Sequence, residues 1–149
     1  MRIYISASFA ARDRLRPMRD RLLALNYDVT SSWLNEVSRP PNMSEEIFHK
    51  KLALQDLVEA TSADLMIQDT LTDSTTGGLH VEWGLGLGRF QRQLLWLVGP
   101  YKNLFHRLAD EQFDSWEDLL EWLDPKVEWH PTLVMAETDW LERSEGSND

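Results

Sequence analysis

Four short apolar segments alternate along the chain with longer stretches in which apolar residues recur every three or four positions. The short segments are β-branched, aliphatic or aromatic, which is typical of buried strands. They cover Arg2–Ser6, Tyr27–Thr30, Ala63–Asp69 and Leu94–Val98. Because strands that alternate with helices form a mainly parallel sheet with right-handed crossovers, we predict an α/β fold with helices on both faces.

The longer stretches predict four helices. The first carries one apolar face, made of Leu15, Met18, Leu22 and Leu25. The second begins at Ser44, a favourable N-cap, and runs to about Ala60. We expect this helix to bury its apolar residues Ile47, Leu54, Leu57 and Val58. The third and fourth helices are predicted at about Leu79–Phe90 and Ser115–Leu123.

In a parallel sheet, ligands bind beyond the carboxyl ends of the strands. That rule directs attention to the segments that follow the predicted strands, and Glu82 is the most informative residue among them. Glu82 lies one turn into a predicted helix, and the residues next to it are mostly apolar. We therefore expect its carboxylate to lie in a partly dry cleft. Glycines at 84, 86 and 88 destabilise the same helix and indicate a close approach to its backbone. The alternative is a solvated glutamate on an amphipathic helix.

Gly77 and Gly78 lie at the start of that helix, directly after Thr76. Two glycines permit positive φ angles and leave amides at a helix N-terminus, where an anion or a hydroxyl group can bind. The same residues also form ordinary turns. The phosphate-binding signatures Gly-x-x-x-x-Gly-Lys-Ser/Thr and Gly-x-Gly-x-x-Gly are both absent from the sequence.

Other candidates are weaker. Asp56 is either a cleft residue or an exposed helical aspartate, and Asp69 either points into the cleft or caps a loop. Trp33 and Trp83 lie on cleft segments and could stack on a base. His80 and His106 lack partners at metal-ligand spacing, so we expect neither a metal nor a cofactor.

Composition narrows the class of protein. A chain of 149 residues suits one domain, and its formal charge of −10 disfavours a nucleic-acid polymer as partner. No apolar run approaches the roughly 20 residues that span a bilayer, so no membrane association is expected. The sequence contains no cysteine and no visible signal peptide, so we expect a cytoplasmic protein. We predict a domain at residues 1–124 and a C-terminal appendage at 125–149 with a disordered end.

Three motifs occur in an informative order. They are Met1-Arg-Ile-Tyr-Ile-Ser-Ala-Ser-Phe9, Leu54-Gln-Asp-Leu57 before Ala63-Asp-Leu-Met-Ile, and Gly77-Gly-Leu-His-Val-Glu-Trp-Gly-Leu-Gly-Leu-Gly88. Over about residues 1–123 the chain resembles the nucleoside 2-deoxyribosyltransferase family, which includes the related 2′-deoxynucleoside 5′-phosphate N-hydrolases. The resemblance implies a Rossmann-like (flavodoxin-like) three-layer sandwich with four to five strands, cleavage of an N-glycosidic bond, and assembly into dimers or larger homo-oligomers.

By position, the resemblance makes Glu82 the nucleophile, Asp56 the residue that handles the proton, and Tyr4 the residue that orients the nucleophile. It also implies a set of residues that contact a nucleoside or nucleotide: Ser6, Ser8, Trp33, Asp69, Thr76, Gly77 and Gly78. The sequence departs from the phosphate-binding relatives, whose loop after the first strand is rich in glycine and arginine. Only Arg12 and Arg14 occur near that position, so nucleoside and 5′-monophosphate both stay open.

Three functions are compatible with these residues. The leading one is cleavage of a deoxynucleoside or its monophosphate, by hydrolysis or by transfer to another base. A nucleotide sensor without catalysis is the second. The third is cleavage of the nicotinamide ribosyl bond of NAD by the same glutamate.

Overall fold

The computed structural model describes residues 1–35, 38–74, 76–89 and 93–126, which contain a five-stranded sheet. The strands are β1 (Arg2–Ser6), β2 (Asp28–Val29), β3 (Leu65–Asp69), β4 (Leu94–Val98) and β5 (Glu111–Phe113). All four neighbouring pairs are parallel, in the order β2-β1-β3-β4-β5. This is the flavodoxin-like order, so the predicted fold class is confirmed.

In the part of the chain that the structure describes, four α-helices cover the sheet. They are α1 (Arg12–Ala24), α2 (Glu45–Ser62), α3 (Gly78–Leu87) and α4 (Trp116–Leu123), and short 3₁₀ helices lie at Phe9–Ala11, Ser32–Asn35 and Leu104–Leu108. Helix α1 contacts α4, and α2 contacts α3. Right-handed crossovers place these two pairs on opposite faces, which gives the three-layer sandwich.

The core lies around the two central strands. All five residues of β3 are buried, and so are the last four residues of β1. Strands covered by helices on both faces lose the alternation of polar and apolar residues, which explains why these segments are apolar runs. Helix α4 closes one side of the core with Trp116, Leu119, Leu120 and Leu123.

The prediction that α2 buries its apolar residues is wrong. In the described chain Ile47, Leu54, Leu57 and Val58 are 60%, 54%, 41% and 63% exposed. Ala60 is the buried residue of this helix, and Glu59 faces inward to accept a hydrogen bond from the Ser32 backbone N–H. The inner face of α2 is partly polar because it borders the cavity described below, and its apolar face points outward.

Helix α3 packs closely on β4 at Gly86. A Cβ atom at this position would lie 2.6 Å from Leu95 Cδ2, whereas a Cβ at Gly84 would meet nothing within 4 Å. The close approach predicted from the three glycines is therefore found at Gly86 and is absent at Gly84. Gly86 keeps α3 near the sheet, and with it the residues that α3 carries.

Residues 127–149 lie outside the described residues, as does Phe90, where the third helix was predicted to end. The domain boundary at 124, the appendage at 125–149 and its disordered end remain predictions. Within the described ranges, no helix is long and apolar enough to cross a membrane.

Candidate active site

A cavity of about 170 Å³ opens beyond the carboxyl ends of β1 and β3. The strand order reverses at this point, because β1 connects outward to β2 and the chain then returns to β3 on the other side, and ligands bind α/β proteins at such a point. The described residues that line it are Tyr4, Ala7, Phe9, Trp33, Asp56, Ser74, Thr76, Gly78, Leu79 and Glu82. Six of the predicted site residues are thus brought together, from four separate parts of the chain.

Glu82 projects from α3 toward the end of β1, where two hydroxyl groups hold its carboxylate. The Tyr4 hydroxyl donates to Oε1 over 2.9 Å, and the Ser6 hydroxyl donates to Oε2 over 2.5 Å. Both donors come from β1, whose side chains are fixed by the central position of that strand. One hydrogen bond to each oxygen prevents the carboxylate from rotating, so Glu82 presents a defined face to the cavity.

Burial raises the pKa of the Glu82 carboxyl above its ordinary value, because a charge loses favourable hydration in a partly dry site. The hydrogen bonds from Ser6 and Tyr4 oppose this effect, since they stabilise the charged form. The pKa of Tyr4 is also raised, first by burial and then by the negative charges of Glu82 and Asp56. Tyr4 therefore stays a protonated phenol and a hydrogen-bond donor at neutral pH.

Asp56 reaches the same cavity from α2. Its negative charge contributes to the raised pKa of Tyr4, after burial and the charge of Glu82. Two carboxylates that share one cavity from different helices can take different roles in a reaction, one as nucleophile and the other as acid.

The N-terminus of α3 forms one rim of the cavity. Gly77 is the N-cap residue, and no side chain caps this end of the helix. Neither Gly77 nor Gly78 has a positive φ angle, and a Cβ at either position would meet nothing within 4 Å. Their use here is an open approach to the amides of the first turn, beside the hydroxyl groups of Ser74 and Thr76.

Solved structures share this architecture. A 2-deoxyribosyltransferase from Bacillus psychrosaccharolyticus has a TM-score of 0.64 at 20% identity, covering 80% of this chain and 90% of its own. A conserved protein from Enterococcus faecalis has a TM-score of 0.65 at 14% identity, covering 85% and 99%. A CMP N-glycosidase from Clostridium botulinum has a TM-score of 0.50 at 17% identity, covering 83% and 98%. No protein-family model and no curated protein sequence matches the chain.

The chain shares the fold of this 2-deoxyribosyltransferase. At these identities the likeness concerns the fold, and the roles of the individual residues rest on the geometry of this chain. Within that fold, Tyr4, Asp56 and Glu82 form the polar part of the cavity lining, Trp33 lines its wall, and Thr76 and Gly78 line its rim. Ser6, predicted to contact substrate, is fully buried and outside the described lining, and it donates to Glu82.

Asp69, predicted to contact substrate, has a structural position in this deoxyribosyltransferase fold. It is fully buried, and both guanidinium ends of Arg14 donate to it over 2.9 Å. The Trp116 indole N–H and the Leu71 backbone N–H also donate to it. Its oxygens are occupied by these donors, and it is not among the described residues that line the cavity.

Ser8, Gly77 and Trp83 are also not among the described residues that line the cavity. Ser8 precedes the 3₁₀ helix Phe9–Ala11, where its carbonyl accepts a hydrogen bond from the Ala11 N–H and its side chain makes no capping bond. Trp83 is 1% exposed and donates to the Phe105 carbonyl, so the expectation that it could stack on a base is wrong. Packing in the core explains Trp83.

Phe9 is a cavity residue that the sequence analysis did not single out. Its ring lies 6.4 Å from that of Trp33, and the Arg12 guanidinium lies 4.8 Å from its centroid. Trp33 is held in place because its indole N–H donates to the Ile5 carbonyl over 2.8 Å. The available signal was an aromatic residue three positions after the first strand, on the segment that the carboxyl-end rule selects.

The described residues contain no group of three or more His, Asp or Glu side chains placed to hold a metal ion. His80 and His106 lie side by side with their ring centroids 6.1 Å apart, and the Asn103 side-chain amide lies near both rings. His106 Nδ1 accepts a hydrogen bond from the Lys102 backbone N–H, which ties this ring to the loop after β4.

Proposed function

We propose that this protein cleaves the N-glycosidic bond of a 2′-deoxynucleoside or its 5′-monophosphate, with Glu82 as the nucleophile. The observation that supports this most strongly is the Glu82 carboxylate itself, held at one oxygen by Tyr4 and at the other by Ser6 in the switch-point cavity. A surface glutamate has no need of two fixed donors. An ionised carboxylate with a defined orientation is what attack on a sugar carbon requires.

In the first step, a Glu82 oxygen forms a bond to C1′ while the bond from C1′ to the base nitrogen breaks. Positive charge develops on the sugar in the transition state, and the neighbouring carboxylate stabilises it. Asp56 supplies a proton to the departing base, since it is the second carboxyl group that reaches the cavity. The products are a free base and a deoxyribosyl ester of Glu82.

In the second step, the ester is opened at C1′. Attack by water gives free deoxyribose or its phosphate, and Asp56 takes the proton that water loses. Attack by a second base gives a new nucleoside instead. Hydrolysis and transfer to a second base use the same residues, so the products formed with and without a free acceptor base distinguish them.

The walls fit a flat aromatic base. Phe9 and Trp33 lie on one side of the cavity, and the hydrogen bond from Trp33 to the Ile5 carbonyl keeps that ring in place. A rigid aromatic wall stacks on a base without requiring a particular pattern of donors and acceptors. We therefore expect tolerance among bases, with the Phe9 and Trp33 side chains setting affinity.

The 5′ group is expected at the rim formed by Ser74, Thr76 and Gly78, where hydroxyl groups and helix amides are available. Arg14 is bound by the buried Asp69, whereas Arg12 lies over Phe9 at the wall of the cavity. The nucleoside and its 5′-monophosphate therefore both stay open as substrates.

Mass spectrometry of products from a panel of deoxynucleosides, deoxynucleotides, ribonucleosides and NAD tests the proposal, with and without a free acceptor base. We expect a free base from at least one deoxynucleoside, and loss of that activity in Glu82→Gln. Glu121→Gln, which changes an exposed glutamate of α4, is the matched control. Calorimetric binding without any base release would support the nucleotide sensor instead, and nicotinamide release alone would support NAD cleavage.

We also propose that the protein forms a homodimer through the outer face of α2, defined by Ile47, Leu54, Leu57 and Val58. Ile47 lies two turns before Leu54, and Leu57 and Val58 follow one turn later, so four large apolar side chains on this face are exposed to water, which disfavours them. A second copy is the partner that this patch fits best, because a two-fold interface brings the same apolar face together from both subunits. We also propose that the substrate is a small nucleoside or nucleotide and that the protein is cytoplasmic.

A further inference from the structure

Gln68 is a fully buried polar residue in the centre of the sheet. It lies on β3 directly beside Ser6 of β1, in a segment whose preceding residues are Leu65, Met66 and Ile67. Burial of an amide in such surroundings costs free energy unless its hydrogen bonds compensate. The hydrogen bonds of the Gln68 side chain therefore decide how costly its burial is.

The Gln68 side chain donates twice through Nε2. One hydrogen bond goes to the Leu79 carbonyl over 2.7 Å, and the other goes to Ser6 Oγ over 3.0 Å. A backbone carbonyl can only accept, so the contact with Leu79 fixes which end of the amide is the nitrogen. Ser6 Oγ must then accept a hydrogen bond from Gln68.

A serine hydroxyl has a single hydrogen to donate. Because its oxygen already accepts from Gln68, Ser6 can direct that hydrogen to Glu82 Oε2, which lies 2.5 Å away. A continuous chain of hydrogen bonds results, from Gln68 through Ser6 to the carboxylate. Leu79 and Glu82 both belong to α3, so Gln68 also ties the first turn of that helix to the sheet.

We infer that Gln68 is a positioning residue, which orients the Ser6 hydroxyl so that it donates to Glu82. Its consequence for catalysis rests on the proposed function of Glu82. The effect of Gln68 on the ionisation of Glu82 is independent of that function, because a donor stabilises a carboxylate whether or not the carboxylate reacts.

Gln93 provides a matched control within the same sheet. It is 2% exposed, and its Nε2 donates to the carbonyls of Ala60 and Ala63 over 2.7 and 2.9 Å. It precedes β4, so it lies at the amino ends of the strands, opposite to the cavity. Replacement of Gln93 removes the same kind of buried amide, whose hydrogen bonds go to Ala60 and Ala63 and not to Ser6.

The first experiment uses the unaltered chain. Side-chain amide resonances of Gln68 and Gln93 are followed by ¹⁵N NMR across a pH titration, beside the ¹³C resonance of the Glu82 carboxylate, which is assigned with Glu82→Gln. We expect the Gln68 amide to shift with the midpoint of Glu82, the Gln93 amide to stay constant, and the Gln68 shift to vanish in Ser6→Ala. A Gln68 amide that ignores the Glu82 midpoint would overturn the inference.

The second experiment is a double-mutant cycle of Gln68→Met and Ser6→Ala, with Gln93→Met as control. We expect Gln68→Met to lower kcat roughly tenfold with little change in KM and to move the acid limb of the pH profile upward. In the Ser6→Ala background the same change should have almost no further effect, because Gln68 acts through Ser6. Equal losses in both backgrounds would instead show a purely structural role.

The two proposals can fail separately. Absence of base release from the whole substrate panel would overturn the proposed function, while a shared midpoint of Gln68 and Glu82 would still support the positioning role. Base release by the unaltered chain, together with a Gln68 amide that does not respond to Glu82, would leave the function standing and remove the inference.

Discussion

At the scale of single residues, the cavity holds the Glu82 carboxylate in a position that suits the proposed chemistry and is unfavourable for stability. Burial raises the pKa of Glu82, so the folded chain favours the protonated form more than the unfolded chain does. The stability associated with this group is present below the unfolded pKa of about 4.3 and is lost as the pH rises through the higher folded pKa. At neutral pH, the ionised Glu82 therefore weakens the fold.

Glu82→Gln should consequently stabilise the protein while it removes the activity. We expect base release to fall at least about a thousandfold, because an amide cannot form the sugar ester. The melting temperature at pH 7 should rise by a few degrees, the scale on which about 1 kcal/mol acts in a domain of this size. Calorimetry at pH 7 and at pH 4 checks the sign, since the gain should shrink at the lower pH. An equal gain in Glu121→Gln would contradict this explanation.

Tyr4→Phe should move the acid limb of the activity profile to higher pH. The Tyr4 hydroxyl stabilises the charged form of Glu82, so its removal raises the pKa of that carboxyl further. A pH–rate profile of base release from pH 4 to 9 measures the shift. Tyr27→Phe, on a tyrosine outside the cavity lining, should leave the profile unchanged. An acid limb that stays in place in Tyr4→Phe would show that the hydroxyl does not tune Glu82.

At the scale of elements, Asp69 joins three of them. It ends β3 and accepts hydrogen bonds from Arg14 of α1 and from Trp116 of α4. Its carboxylate is fully buried whereas the Arg14 side chain is 41% exposed, so solvent screens part of this interaction. Asp69 thereby clamps two helices to one face of the sheet, while its contact with substrate stays a prediction.

Asp69→Asn tests the clamp against the predicted substrate contact. An amide nitrogen facing Arg14 or Trp116 loses an acceptor, so we expect a destabilisation of about 2–3 kcal/mol and a fall in melting temperature of roughly 5–12 °C. KM for the nucleoside should change little. Asp20→Asn, at an exposed aspartate of α1, is the control and should melt within about 1 °C of the unaltered chain. A large rise in KM without loss of stability would restore the original prediction for Asp69.

The elements differ in how far the sequence predicts them. The strands β1, β3 and β4 are visible because a strand covered on both faces is an unbroken apolar run. The strand β5 was not placed, since Glu111–Phe113 is short and mostly polar and forms only through pairing with β4. For α2 the helical spacing of the apolar residues was predicted correctly, but the face expected to be buried is exposed. Apolar periodicity identifies a face of a helix without showing what covers it.

The candidate site was predictable where a residue type is unusual for its position. Glu82 among apolar and glycine neighbours, and Asp56 and Tyr4 through the resemblance, were named from the sequence and share one cavity. Asp69 was a candidate for substrate contact, and its four donors distinguish it from the cavity residues. Gln68 could also be recognised from the sequence, because it is a polar residue within the apolar run of β3.

At the scale of the whole molecule, the exposed face of α2 determines the expected assembly. Coverage by a second copy would bury Ile47, Leu54, Leu57 and Val58 and would steady the helix that carries Asp56. The charge of −10 works against association, so an apolar contact has to dominate it, and added salt should favour the dimer.

Leu57→Glu should convert the dimer to a monomer. A carboxylate from each subunit would then face the other across an apolar interface, at a cost of several kcal/mol. Sedimentation velocity at several concentrations measures the change, with Leu104→Glu, an equally apolar and more exposed position, as control. The proposal fails if the unaltered chain sediments as a monomer throughout, or if both variants dissociate alike.

The hydrogen bond between Tyr4 and Glu82 joins residues 78 positions apart. Contacts of such long range form late in folding, because the entropy of closing the intervening loop must be offset first. A chain that has formed its helices but has not paired β1 with β3 therefore lacks the oriented carboxylate. Base release during refolding should accordingly begin only after β1 has paired with β3, and later than the circular-dichroism signal of the helices. The onset of turnover would then report the last stage of folding.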